Sequence, residues 1–164
     1  MSSTHPLADI GGCTFSVSLR VRHPSMDPDV ITGTLGITPE HFWGCGEPRR
    51  SASGAKLGGM HRDTYWSATL PEVMAQQGLV SSGRTPWPIE PAAYLARQVL
   101  QLKRHRIFFE QICTEGGEAS LMIELAAESE TALRLDAALM RQLADLGLAV
   151  DFEIISEMPA PRLA

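Results

Sequence analysis

Thr14-Phe15-Ser16-Val17-Ser18-Leu19-Arg20-Val21-Arg22 is the stretch that decides the fold class. Phe15, Val17, Leu19 and Val21 fall on one side of an extended chain, and Ser16, Ser18, Arg20 and Arg22 on the other. That period of two is the signature of a strand with one face buried and one face open. A core must therefore cover one face of a sheet, and the next residues supply the first cover. Asp27 is a good N-cap, Pro28 suits the first helical position, and Gly36 offers a left-handed stop, which predicts a helix from Pro28 to Leu35. Its apolar face is expected at Val30, Ile31 and Leu35, with Ile37 packing back after the glycine and Thr38-Pro39 ending the unit.

His41-Phe42-Trp43 reads as a short strand and Thr64 to Leu70 as its hairpin partner, with Gly44 to Arg62 as a long connection between them. Pro71 to Pro91 holds little periodicity and reads as an irregular link, with one short helical turn around Glu72 to Gln77. Pro91 opens a helix through Leu95, Val99 and Leu102. The basic run Lys103-Arg104-His105-Arg106 suits its C-terminal turn, and a second helical piece spans Ile107 to Thr114. Leu121, Ile123 and Leu125 mark another strand. Ser129 to Leu146 reads as a helix with a Leu135, Leu139, Leu143 and Leu146 stripe, closed by Gly147 with Leu148 folding back. Val150, Phe152 and Ile154 alternate with Asp151 and Glu153 in a final strand.

This order predicts an α+β two-layer sandwich with a mostly antiparallel sheet. Its core is a ferredoxin-like split β-α-β layout, to which a further helix and strand are appended. The boundaries expected are a disordered tail over residues 1–12, a single domain over 13–157, and a loose proline-bearing tail over 158–164.

Composition narrows the function. The chain has 164 residues, 44% of them hydrophobic and 20% charged, enough for one folded core. No apolar run approaches the ~20 residues of a membrane span, and the three scattered cysteines make neither a disulfide framework nor a zinc ribbon. A cytoplasmic protein is the expectation, with no membrane partner. The net charge of −5 is divided unevenly, with nine acids against three bases from Glu118 onward and four bases against two acids from Glu47 to Trp66. Without a dense basic face, no nucleic-acid partner is expected.

The order of short motifs carries a resemblance. Phe15 to Arg20, Asp27-Pro28, Leu35-Gly36-Ile37-Thr38-Pro39, Gly46-Glu47-Pro48-Arg49-Arg50, Tyr65-Trp66-Ser67 and Leu143 to Leu148 together resemble the bacterial domain-of-unknown-function 4279 family over about Thr14 to Ser156. The resemblance implies a small bacterial cytoplasmic domain and brings no catalytic residues.

One segment gathers chemistry. Trp43, Glu47, Arg49, Arg50, Lys56, His61, Arg62 and Trp66 combine guanidinium forks, aromatics and nearby glycines, a set suited to an anion, a planar ligand or an acidic partner surface. Against this stands an ordinary solvated loop with tryptophan anchors at its ends. His41, Cys45 and His61 have zinc-type donor atoms, but four-residue spacing on a strand does not converge them, so no metal is expected. Cys113 is expected on the buried side of its helix with Phe109, an inert thiol rather than a nucleophile served by His105. No phosphate-binding glycine loop, serine-nucleophile elbow or other catalytic motif is present, and no cofactor is implied. The leading expectation is a non-enzymatic protein-binding domain of the immunity or accessory type, with a second copy of the chain among the partners left open. The alternative is a small-molecule or anion binder, an enzyme being included in it, that uses the basic 44–66 loop. A concave site would favour the ligand and a flat one the protein.

Overall fold

The buried side of Thr14–His23 is a continuous row: Phe15, Val17, Leu19 and Val21 are at most 1% exposed. A computed structural model describes residues 14–70, 85–86, 91–127 and 133–156. The expected tails at 1–12 and 158–164 and the helical turn at 72–77 lie outside these residues.

The elements are β1 (Thr14–His23), α1 (Pro28–Leu35), β2 (His41–Trp43), β3 (Pro48–Arg50), β4 (Lys56–Met60), β5 (Thr64–Thr69), β6 (Thr85–Pro86), α2 (Pro91–Leu102), α3 (Arg106–Thr114), β7 (Glu118–Ala127), α4 (Ala137–Asp145) and β8 (Leu148–Ser156). The main sheet runs β2-β5-β1-β7-β8, with the two-residue β6 also paired to β1. Every pairing in it is antiparallel except β7 with β8. The order β2-β5-β1-β7 is the split β-α-β core, and α4 with β8 is the appended unit. The fold is an α+β two-layer sandwich.

The helices cover one face only. Ile31 and Leu35 of α1, Leu95, Val99 and Leu102 of α2, Phe109 and Ile112 of α3, and Leu139 and Leu143 of α4 close over Trp66, Leu121, Ile123 and the β1 row. Trp66 is fully buried and its Nε1 donates to Thr32 Oγ1 at 3.0 Å, which ties α1 to β5. The α1 signals act as read: Asp27 accepts from Asp29 N, and Gly36 stands at φ 67°. Val30 does not join that face. It is 52% exposed, because the short helix turns Ile31 and Leu35 inward and leaves Val30 beside them in solvent.

Two further expectations are corrected. The helix read from Ser129 begins at Ala137, since Asp136 takes extended angles and its carboxylate accepts from Leu139 N at 2.8 Å, which stops the helix there. Leu135 still packs at the core margin, but from outside the helix. The connection from Gly44 to Arg62 is not a plain loop: β3 and β4 pair as a separate two-stranded hairpin. Ser51 N donates to Ala55 O and Gly54 takes φ 81°, so the run Ser51-Ala52-Ser53-Gly54-Ala55 makes its turn.

Candidate functional site

The polar side of β1 faces away from the helices, and register decides what surrounds its two arginines. Directly paired residues in a sheet project to the same face. Arg22 is flanked by Tyr65 on β5 and Glu118 on β7, and Arg20 by Ser67 and Ser120. Beyond β5, Trp43 extends the Arg22 row and His41 the Arg20 row. Beyond β7, Ala149 follows Ser120, and Asp151 pairs with Met122. A bulky row therefore stands beside a row of small residues around Arg20. The result is a concave cleft of ≈ 520 Å³ lined by Arg20, Arg22, His41, Trp43, Tyr65, Glu118, Ser120 and Asp151. That volume lies within the ~300–1,000 Å³ range of small-molecule sites.

Aromatic stacking stiffens one wall. The Trp43 ring stacks on Tyr65 at 4.5 Å between centroids and on His61 at 4.6 Å, and the Arg22 guanidinium lies 5.7 Å from the Tyr65 centroid. Arg22 is also 3.6 Å from Asp63. Arg20 is different. It is partly buried, yet its guanidinium makes no hydrogen bond or ion pair among the described residues, and its Nε is enclosed without an acceptor. The Trp43 Nε1 is enclosed without an acceptor too. Buried donors left unpaired cost about 1–3 kcal/mol each, so an acceptor group entering here is favoured.

A smaller hollow of ≈ 370 Å³ adjoins the cleft, lined by Arg22, His23, Pro24, Arg62, Asp63, Gly116 and Glu118. His23 is held by the backbone there: Nδ1 accepts from Ser25 N and Met26 N, and Nε2 lies 3.1 Å from Glu115 Oε2 without a hydrogen bond to it.

The eight residues singled out in the sequence divide among four places. Trp43 lines the cleft with His61 stacked on it, and Arg62 lines the hollow. Trp66 points into the core and braces the fold. Glu47, Arg49, Arg50 and Lys56 lie exposed on or beside the β3–β4 hairpin, where Arg50 reaches only Gly54 O at 3.3 Å. Backbone bonds from Gly46 N to His61 O and from His61 N to Glu47 O tie the base of that hairpin. Arg20, Arg22, Tyr65, Glu118, Ser120 and Asp151 were not singled out. The alternation of β1 already placed Arg20 and Arg22 on a polar face, but only the pairing register shows that they meet residues from four other strands.

Among the described residues no three His, Cys, Asp or Glu side chains gather as a metal site would require. Cys45 Sγ lies 3.3 Å from Arg62 O, and His41 faces the cleft. Cys113 is exposed rather than buried, its Sγ 3.8 Å from Gly147 O, because it sits at the solvent end of α3 while Phe109 and Ile112 take the core positions. His105 lies in a short helical turn between α2 and α3. Burial, then the neighbouring Arg104 charge, holds its pKa below the ordinary value, and Arg104 Nε donates to its Nε2 at 2.9 Å. No helix among the described residues is long and apolar enough to cross a membrane.

No curated protein and no solved structure shows significant similarity to the chain. The model of a family described as a domain of unknown function, DUF4279, matches residues 13–157, and the chain belongs to that family.

Proposed function

We propose that this protein is a small-molecule-binding domain of the bacterial cytoplasm, which seats a carboxylate-bearing ligand on Arg20 in the open-face cleft. The observation that carries the reading is the unpaired guanidinium of Arg20 inside a concave, aromatic-walled site. A planar guanidinium binds a carboxylate bidentately, in a charge-assisted contact stronger than a neutral hydrogen bond. The small neighbours Ser67 and Ser120 leave room above it. Calorimetric titration with butyrate and succinate tests the reading. Binding is expected in the native protein and lost by at least about tenfold in Arg20→Ala. The same variant should be at least as stable as the parent, since Arg20 has no ion-pair partner to lose and an enclosed unpaired donor is removed. Equal binding by both proteins, or none by either, would overturn the assignment.

The exposed hairpin supports a second reading, docking of a protein partner in an immunity or accessory role. β3 and β4 are exposed along their whole length and carry Arg49, Arg50 and Lys56 beside Leu57 at 46% and Met60 at 59% exposure. A bare two-stranded hairpin is marginal alone in water, and an acidic partner surface would complete it. Replacing those three bases with glutamate should abolish such an association and leave carboxylate binding in the cleft intact.

A further inference from the structure

The cleft holds unpaired charge of both signs. Arg20 has no ion-pair partner among the described residues, and neither has Glu118 or Asp151, although all three line one cavity. Arg22, the remaining cation, is engaged with Asp63 and the Tyr65 ring. The charges are also sorted by strand. Arg20 sits on β1 beside the aromatic wall of β2 and β5, whereas the acids stand on β7 and β8. Strand spacing of about 4.8 Å and a rise of about 3.3 Å per residue put Glu118 about 8 Å and Asp151 about 12 Å from Arg20 between Cα atoms. No ion pair among the described residues neutralises them. A bound molecule of matching length can.

Resting on the carboxylate reading above, we infer that the ligand is a zwitterion whose ammonium group lies several bonds from its carboxylate, the arrangement shared by ω-amino acids and free short peptides. The carboxylate takes Arg20 and the ammonium faces Asp151. Unpaired charge of both signs in one cavity matches a ligand that is itself charge-separated. A purely anionic ligand would meet two uncompensated acids. The roughly 12 Å between Arg20 and Asp151 at Cα favours a longer ligand over an α-amino acid, whose charged groups a single carbon separates.

Titration calorimetry with ε-aminocaproate, glycylglycine, their N-acetyl derivatives and hexylamine tests this. Either free zwitterion should bind at least about tenfold tighter than its acetylated form, with hexylamine weaker than both. Preference between ε-aminocaproate and glycylglycine identifies a free ω-amino acid or a peptide as the source. The double variant Glu118→Gln, Asp151→Asn should bring the zwitterion down to the acetylated level and leave acetylated binding unchanged or stronger. Acetylated ligands that bind as tightly as the free amines would overturn the zwitterion and leave the carboxylate reading standing. If no compound of the series binds the native protein, both fail together.

Discussion

Two glycine-to-alanine substitutions should move stability in opposite directions. At Gly117, where the chain leaves α3 and enters β7, an added Cβ would lie 2.7 Å from Arg22 O, 2.7 Å from His23 Cδ2 and 2.9 Å from Ile112 Cγ2. The first neighbour is backbone in the β1–β7 ladder, where Arg22 pairs with Glu118, and the second is a ring pinned by two backbone N–H donors. Neither can retreat cheaply, and Gly117 N is itself held by Ile112 O at 2.8 Å. Overpacking of this kind costs about 1–3 kcal/mol. At Gly33, inside α1, nothing lies within 4 Å of the added Cβ. Alanine there gains about 0.5–1 kcal/mol from helix propensity and a less flexible unfolded chain. Urea denaturation should therefore show Gly117→Ala with a lower midpoint and Gly33→Ala with a higher one. In thermal scans each kcal/mol corresponds to about 2–4 °C for a chain of this size. A Gly117→Ala protein as stable as the parent would refute the close α3–β7 junction, and with it the placement of Glu118 beside Arg22.

Leu143→Ala should destabilise by about 2–5 kcal/mol, since Leu143 is 3% exposed on the core side of α4; an unchanged denaturation midpoint would mean that the helix faces the other way. His105 gives a pH signature. Its pKa is lowered on folding, so below its ordinary value of 6.5 the unfolded chain binds more protons and stability falls as pH falls through that region. His105→Gln should lose less stability than the parent between about pH 7.5 and pH 5.5, and an identical loss would remove this group from the pH response. Changing Arg49, Arg50 and Arg62 together to alanine should leave the melting temperature nearly unchanged, because all three are exposed and such charges contribute only about 0–1 kcal/mol each; a large drop would mean that they brace the hairpin against the sheet.

Local chemistry made most of the fold legible. The alternation from Phe15 to Arg22, the Asp27-Pro28 start and Gly36 stop of α1, and the Leu95, Val99 and Leu102 stripe are all decided within a few residues, and each stands where it was read. The start of α4 was not legible, because the leucine spacing continues upstream through Leu135 while Asp136 ends the helix by capture of one backbone N–H. The β3–β4 hairpin was hidden as well, since Pro48, Arg49, Arg50 and the Gly58-Gly59 pair carry little strand propensity. The site was harder still. Long-range pairing puts Arg20 of β1, Tyr65 of β5, Ser120 of β7 and Asp151 of β8 on one face, and no local window contains that register. The loop that drew attention by composition contributes the wall through Trp43 and His61, and its arginines sit elsewhere.

The most direct measurement is the indole N–H resonance of Trp43 in a ¹H–¹⁵N spectrum titrated with glycylglycine. The chain has three tryptophans, and Trp43→Phe assigns the signal. Trp43 lines the cleft without an acceptor for its Nε1, whereas Trp66 is fully buried with its N–H on Thr32, so the second is an internal control in the same sample. The account predicts a saturable shift of the Trp43 signal, a still Trp66 signal, and no shift of either in Arg20→Ala. A Trp43 resonance that stays fixed across the titration in the folded native protein would contradict the claim that this cleft binds the ligand.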